Sequence, residues 1–373
     1  MSINHPSHRV IAAAITAGVP VHIEGSPGEA KTASLTDWAT HWGRRVEVIT
    51  GSSRDKGDFM GMPVETGGRV TYSPPVWVKN LQEAKSGLLV LDEMQSSSES
   101  FAISMRIVQE RVVGEAELPE TTSIVAISNP VDEAVDGMEL PAPVANRFLH
   151  LAWHMPFEAW SEGLLTDFAD PQRPDLARIL AAKKDVARNR ALIQGQVLAF
   201  LTRRPDLRTA VPTDLAKAGK GWPSYRSWHN AIRVIAHLRA GDEDARDLAL
   251  VGLIGEAAAT EFATWISTSD LHDPALVMAD PSLVDWHAER PDRLFALVTS
   301  VRALAVADGK AKTWEQAMGV MVACAEGGKP DVATPGARAL GGQMPKGALM
   351  PAEARDAFGE VFARLGSKEY LKV

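Results

Sequence analysis

Residues 19–42, VPVHIEGSPGEAKTASLTDWATHW, decide the fold. Val19, Val21 and Ile23 supply a short β-branched strand, residues 24 to 30 form a glycine-proline turn, and Lys31 opens a helical stretch. This order is what a polyphosphate-binding loop requires. The first amides of a helix lack intrahelical acceptors, and the helix dipole adds roughly half a positive charge there, so a phosphate chain is a natural occupant. Lys31 would reach the β- and γ-phosphates, and the Thr32 hydroxyl would ligate Mg²⁺. Against the pattern G-x-x-x-x-G-K-[ST], the loop Gly25, Ser26, Pro27, Gly28, Glu29, Ala30, Lys31, Thr32 departs at one place. Ala30 stands where a second glycine is expected, at a steric cost if that position needs positive φ. Taken alone, the segment is equally compatible with an ordinary strand-to-helix turn.

Three later segments bear on that choice. Residues 87–94, GLLVLDEM, form an apolar strand ending in Asp92 and Glu93. Carboxylates at the C-terminal end of a central parallel strand sit where ligands bind in open α/β sheets. There Asp92 suits a Mg²⁺ shell and Glu93 suits an attacking water. Residues 123–128, SIVAIS, run straight into Asn129 and Pro130. Asn129 would hydrogen-bond a γ-phosphate or the water, although an Asn before Pro is also ordinary turn chemistry. Residues 140–148, LPAPVANRF, form a short helix that presents Arg147, a planar and always-charged donor fork. By itself Arg147 is as well explained by a helix C-terminus.

In this order the four motifs resemble the AAA+ ATPases, most closely the MoxR-type branch, over about residues 8–235. The resemblance implies ATP as substrate with Mg²⁺. Residues 25–32 correspond to the Walker A loop, Asp92 and Glu93 to Walker B with its catalytic glutamate, and Asn129 to sensor 1. Arg147 is similar to the arginine finger, which acts on a neighbouring subunit's ATP, and Arg226 in GWPSYRSWHNAIRV resembles the sensor 2 arginine. The Ala30 departure puts turnover in question more than fold. The implied assembly is a ring, a hexamer by family likeness. The implied partner is a protein client, often accompanied by a von Willebrand A domain. The expected fold is a three-layer P-loop α/β core with a five-stranded parallel sheet, then an all-α lid and a helical C-terminal region.

Composition fits a globular enzyme. The chain has 373 residues, 45% hydrophobic and 23% charged, which is too long for one ordinary core. A formal net charge of -8, spread along the chain, argues against nucleic acid or an anionic membrane as the main partner. A single cysteine, Cys324, rules out a disulfide framework within the monomer. His150 and His154 have helical spacing but belong beside a strand, so a zinc site lacks its ligands. With no signal peptide and no apolar run near membrane-spanning length, a cytoplasmic address is expected.

The expected domains are residues 1–154 for the core, 155–266 for the lid with an insertion, and 267–373 for a helical region of open role. Helices are expected at 8–17, 156–164, 185–203, 224–239, 244–266, 292–306, 313–325 and 351–365. Residues 45–50 alternate as a strand, and residues 111–120 form a hairpin turning at Gly114 and Glu115. The acidic residues 131–139 would cover the mouth of the nucleotide site. Phe59, Met60 and Met62 are candidates for an apolar protrusion, and by the resemblance Phe59 is a contact for substrate in a central pore. The equal alternative is that they pack under their own loop. The Gly- and Pro-rich residues 327–351 are expected to be an extended connector. Two other function classes are a DNA-directed motor or nuclease-associated NTPase on the same fold, and a nucleotide-binding switch with little turnover.

Overall fold

Five apolar runs form one parallel sheet in this computed structural model, which describes residues 5–51, 57, 59, 61–94, 98–133, 139–168, 173–268 and 270–363, without the side chains of Thr66 and residues 98–100. The strands in chain order are β1 (Val21–Glu24), β2 (Arg45–Thr50), β3 (Met62–Thr66), β4 (Arg69–Ser73), β5 (Gly87–Asp92), β6 (Val112–Val113), β7 (Ala116–Glu117), β8 (Thr122–Ser128) and β9 (Leu149–Ala152). The sheet has the order β2-β5-β8-β1-β9, and every pairing in it is parallel. The remaining strands make two antiparallel hairpins, β3-β4 and β6-β7.

Burial on both faces explains the near-continuous apolar runs in β5 and β8. Leu89, Leu91, Ile124 and Ala126 face a core shared with Trp77, Val78 and Leu81 of the helix Val76–Glu83 and with Met105, Ile107 and Val108 of the helix Ser98–Glu110. Leu88, Val90, Val125 and Ile127 are equally buried and, by strand alternation, face the other way. On that side the helix Pro6–Ala17 lies against β1 and β8, where its Ile15 carbonyl accepts from Ser123 at 2.6 Å. The result is the expected three-layer P-loop core. The connection leaving β1 runs toward β2 at one side of the sheet, whereas that leaving β8 runs to β9 at the other. A crevice therefore opens at the C-terminal ends of β1 and β8.

The chain divides into two compact units, residues 1–181 with 209–260, and residues 182–208 with 261–373. This differs from the three-part division expected above, because the helix Lys183–Arg203 packs along the helix Pro291–Asp308 and belongs with the C-terminal residues. Gly195 permits that approach, since a Cβ there would stand 2.7 Å from the Ala296 carbonyl oxygen. Residues 244–266 form two helices, Glu243–Ile254 and Glu256–Thr268, because Gly255 takes φ 77° at the junction.

Residues 327–351 correct the expectation of a connector, since Pro330–Gly341 is a helix. Pro330 starts it, and Ala333, Gly336, Ala337, Leu340 and Gly341 recur at helical spacing as its buried face. These small residues let it lie close on the helix Ala311–Glu326, where a Cβ at Gly336 would come within 2.6 Å of the Met321 sulfur. Phe59 decides between the two readings given for it, in favour of packing. It is 2% exposed in the core with Trp77 and Leu91, and packing of an aromatic ring there outweighs display in a pore. Met60 lies outside the described residues, and Met62 on β3 is 64% exposed. Among the described residues no helix is long and apolar enough to cross a membrane.

Gly195→Ala is expected to lower urea-unfolding stability by about 1–3 kcal/mol through overpacking against Ala296, even though Ala favours helix by about 1 kcal/mol. Unchanged stability would show that the two helices separate without cost.

Candidate functional site

The loop between β1 and the helix Lys31–His41 is held by backbone constraints the sequence only implies. Gly25 admits no side chain, since a Cβ would stand 2.7 Å from the Trp153 carbonyl oxygen. Gly28 takes φ 83°. Ala30 takes φ 53° and ψ 28°, so the position does require the left-handed region that glycine adopts freely. For an L-residue this costs roughly 1–2 kcal/mol. Ala30 provides no side-chain cap, and the first helical return bond is Ser34 N–H to the Ala30 carbonyl at 2.9 Å. The amides of Lys31, Thr32 and Ala33 therefore have no intrahelical acceptor.

Lys31 is buried at 7% exposure, and its ammonium spans two loops. It donates to the carbonyls of Gly25 at 2.5 Å and Ser26 at 2.8 Å, and to Asn129 Oδ1 at 3.1 Å. Burial pushes the Lys31 ammonium below its ordinary pKa, against the opposing pull of Asp92, Glu29, Glu133 and Glu93. Thr32 Oγ1 donates to Asp92 Oδ2 at 2.7 Å. Thus Lys31, Thr32, Asp92 and Asn129, up to 98 residues apart in sequence, meet at one edge of the sheet. Glu93 follows Asp92 in the left-handed region at φ 51°, with its N–H on the Ile127 carbonyl at 3.1 Å. Strain of this kind clusters at functional sites.

The rim is also tied down. Ser26 donates to Glu133 at 3.1 Å, so the acidic segment reaches the loop as expected, while residues 134–138 lie outside the described residues. Trp153 Nε1 donates to the Glu29 carbonyl at 2.9 Å, and the Glu29 carboxylate meets His154 Nδ1 at 3.0 Å. Neither anchor was legible in the sequence, which offers no local signal for a contact spanning 124 residues.

Arg147 and Arg226 lie elsewhere. Arg147 precedes Leu149, the first residue of β9, so it sits at the N-terminal edge of the sheet, whereas Lys31 follows the C-terminal end of β1. The length of β9 alone, roughly 10 Å at the usual strand rise, separates those edges. Arg147 donates to the Pro143 carbonyl. Burial, and secondly the charge of Arg226, lowers its pKa from the ordinary value. Ser224 Oγ donates to Asn146 Oδ1 at 2.5 Å, which brings the start of the helix Tyr225–His237, and with it Arg226, alongside Arg147. The two arginines therefore form a pair apart from Lys31.

Between the edges runs a chain that sequence reasoning missed. His150 Nε2 meets the Ala145 carbonyl at 2.8 Å, so it carries the proton and Nδ1 is left as an acceptor. His22 Nδ1, 3.4 Å from His150 Nδ1, must then donate, and His22 Nε2 accepts from Ser128 Oγ at 2.9 Å. Both rings are neutral, with burial pushing His22 down to about 3 and His150 to about 4.

The loop fits a nucleotide triphosphate with Mg²⁺ by its unpaired helix-start amides, its Gly25 cradle and its ammonium. Among the described residues no group of three or more His, Cys, Asp or Glu is placed to hold a metal. A Mg²⁺ ion would therefore rest on Thr32, Asp92 and phosphate oxygens, as it commonly does with one or two carboxylates.

No family model matches the chain, and no curated protein is similar to it in sequence. Among solved structures, one from Cytophaga hutchinsonii described as a candidate ATPase is similar at a TM-score of 0.45 and 16% identity, covering 71% of this chain and 89% of that one. At that distance the likeness identifies neither ligand nor chemistry.

Two measurements check this geometry. Ala30→Gly should be tolerated, with unfolding free energy changed by less than about 1 kcal/mol because relief of φ strain offsets glycine entropy; Ala30→Val should lose about 2 kcal/mol. Equal stability of both would place Ala30 outside the left-handed region. On acidification, His22 and His150 resist the protons that the unfolded chain accepts at about 6.5, so their stability contribution is full above pH 6.5. It falls away as pH drops toward 4 and 3, by several kcal/mol at most at about 1.4 kcal/mol per unit. His8, also lowered to about 4 by burial, adds a share. A His22→Gln, His150→Gln double variant should flatten the melting-temperature decline between pH 6.5 and 4, and an unchanged slope would contradict the neutral relay.

Proposed function

We propose that this chain is an ATPase of the AAA+ type, related to the MoxR branch, which works as a ring and remodels a protein client. The observation that carries the reading is the convergence of Lys31, Thr32, Asp92 and Asn129 on one crevice, with Arg147 on the opposite edge of the same sheet. The helix-start amides and Lys31 would cradle the phosphates. Asn129, already bonded to the Lys31 ammonium, would share the γ-phosphate or align the water. Glu93, beside Asp92, would take a proton from the water as it attacks the γ-phosphorus and ADP leaves. Bound Mg²⁺, held by Thr32 and Asp92, would neutralise developing phosphate charge.

An arginine at the edge opposite its own subunit's nucleotide would act on a neighbour's. Head-to-tail contacts that bring one subunit's Arg147 edge to the next subunit's Lys31 edge close into a ring when the rotation allows. Arg226 travels with Arg147 and would join it in the neighbour's site. A ring of six and a von Willebrand A partner are carried over from the family likeness alone.

Complementation tests the reading. Glu93→Gln should bind ATP and lose hydrolysis. Arg147→Ala and Lys31→Ala should each be inactive alone, by about 10³–10⁵ for loss of a trans-acting arginine. Mixed together they should regain activity, because one supplies the intact loop and the other the intact arginine. Failure of the mixture to recover, with both proteins folded, would remove the trans arrangement. ATP binding unaffected by Lys31→Ala would remove the nucleotide site itself.

A further inference from the structure

At the N-terminal edge of the sheet, away from the Lys31 crevice, lies a concavity of about 580 Å³ lined by Arg44, Arg111, Arg233 and Glu120, with backbone of residues 15–18. Arg44 precedes β2, and Thr121 and Ser86 at its floor precede β8 and β5. All three guanidiniums are partly buried, and neutral acceptors hold Arg44 and Arg111. Arg44 Nη1 lies 3.3 Å from both the Gly87 carbonyl and Ser123 Oγ. Arg111 Nη2 donates to the carbonyls of Pro119 at 2.5 Å and Thr122 at 2.6 Å, and Arg233 Nη2 donates to the Ala17 carbonyl.

Carbonyls satisfy hydrogen bonds without cancelling charge. Glu120 is the one acid lining this wall, against three arginines, and among the described residues neither Arg44 nor Arg111 makes an ion pair. This local excess runs against a chain whose net charge is -8. Burial lowers the pKa of Arg44, and burial with Arg233 lowers that of Arg111 despite Glu120, yet guanidinium stays protonated. Buried charges are ordinarily paired. Arg111 Nε is in addition buried with no acceptor, and Arg111 itself is held at φ 57°. Arg44 and Arg111 keep N–H groups beyond those tied to the acceptors named above, in planar forks whose spacing matches two phosphate oxygens.

We propose that this concavity is a second anion site, which binds a small phosphorylated compound through its dianionic phosphoryl group. The volume lies within the roughly 300–1,000 Å³ of small-ligand sites and leaves room for an organic remainder beside the phosphate. Free phosphate and a phosphate monoester share the recognising chemistry. The inference is independent of the nucleotide reading, since no residue of residues 24–32 lines the site.

The test uses the full chain carrying Lys31→Ala, so that the crevice at β1 does not contribute. Isothermal titration with inorganic phosphate, glycerol phosphate and AMP should show millimolar or tighter binding of at least one of them. Arg44→Gln and, separately, Arg233→Gln should each weaken it by about 10-fold or more, the worth of one charge-assisted bond. Circular dichroism melting of each variant checks folding, and Arg44→Lys, which keeps the charge and loses the fork, should fall between. Monoester tighter than inorganic phosphate identifies an organic phosphate, and the reverse order identifies free phosphate; both support the site. No binding at about 10 mM of any probe, or affinities unchanged by both glutamine variants, would overturn it. Binding of a short polyglutamate peptide with all three phosphates silent would overturn it in favour of an acidic protein segment.

Discussion

One ammonium group organises the crevice. Lys31 is almost wholly buried, and its three protons go to two carbonyls of its own loop and to Asn129 on the loop after β8. A desolvated cation tolerates this only where acceptors and carboxylates converge, and Asp92, Glu29, Glu133 and Glu93 supply the field. Once Lys31 is placed, the rest follows from chain geometry. The helix must start there, the preceding residue must turn left-handed, Gly25 must lie flat against Trp153, and Thr32 on the first turn meets Asp92.

The two edges of the sheet have opposite chemical characters. Among the described residues, Asp92, Glu93 and Glu133 lie near Lys31 at the C-terminal edge, whereas Arg44, Arg111, Arg147, Arg226 and Arg233, with Glu120, belong to the N-terminal edge.

Features set by short-range pattern were legible in the sequence. The strand-turn-helix at residues 19–42, the apolar run into Asp92 and the run into Asn129 each carry their meaning within ten or so residues, and parallel pairing brings them together. Local composition misled where tertiary packing decides. Glycine and proline in residues 330–341 suggested a connector, yet small residues at helical spacing serve close packing equally well. Phe59 in a Gly-rich loop suggested display, but an adjacent apolar core claimed it. The His22–His150 contact spans 128 residues and has no motif, so nothing in either neighbourhood announces it. The three arginines around the second concavity are likewise scattered, Arg44 before a strand, Arg111 after a helix and Arg233 within one.

The imidazole pair also acts as an alignment pin. His22 is directly opposite His150, and the line from Ser128 to the Ala145 carbonyl closes only with that partner opposite. β1 is four residues long, too short for its ladder alone to forbid slippage. Displacement of either strand by a single step would turn its ring to the opposite face of the sheet and break the line. The crevice and the arginine edge therefore stay in fixed phase with each other, as two ends of one rigid ruler.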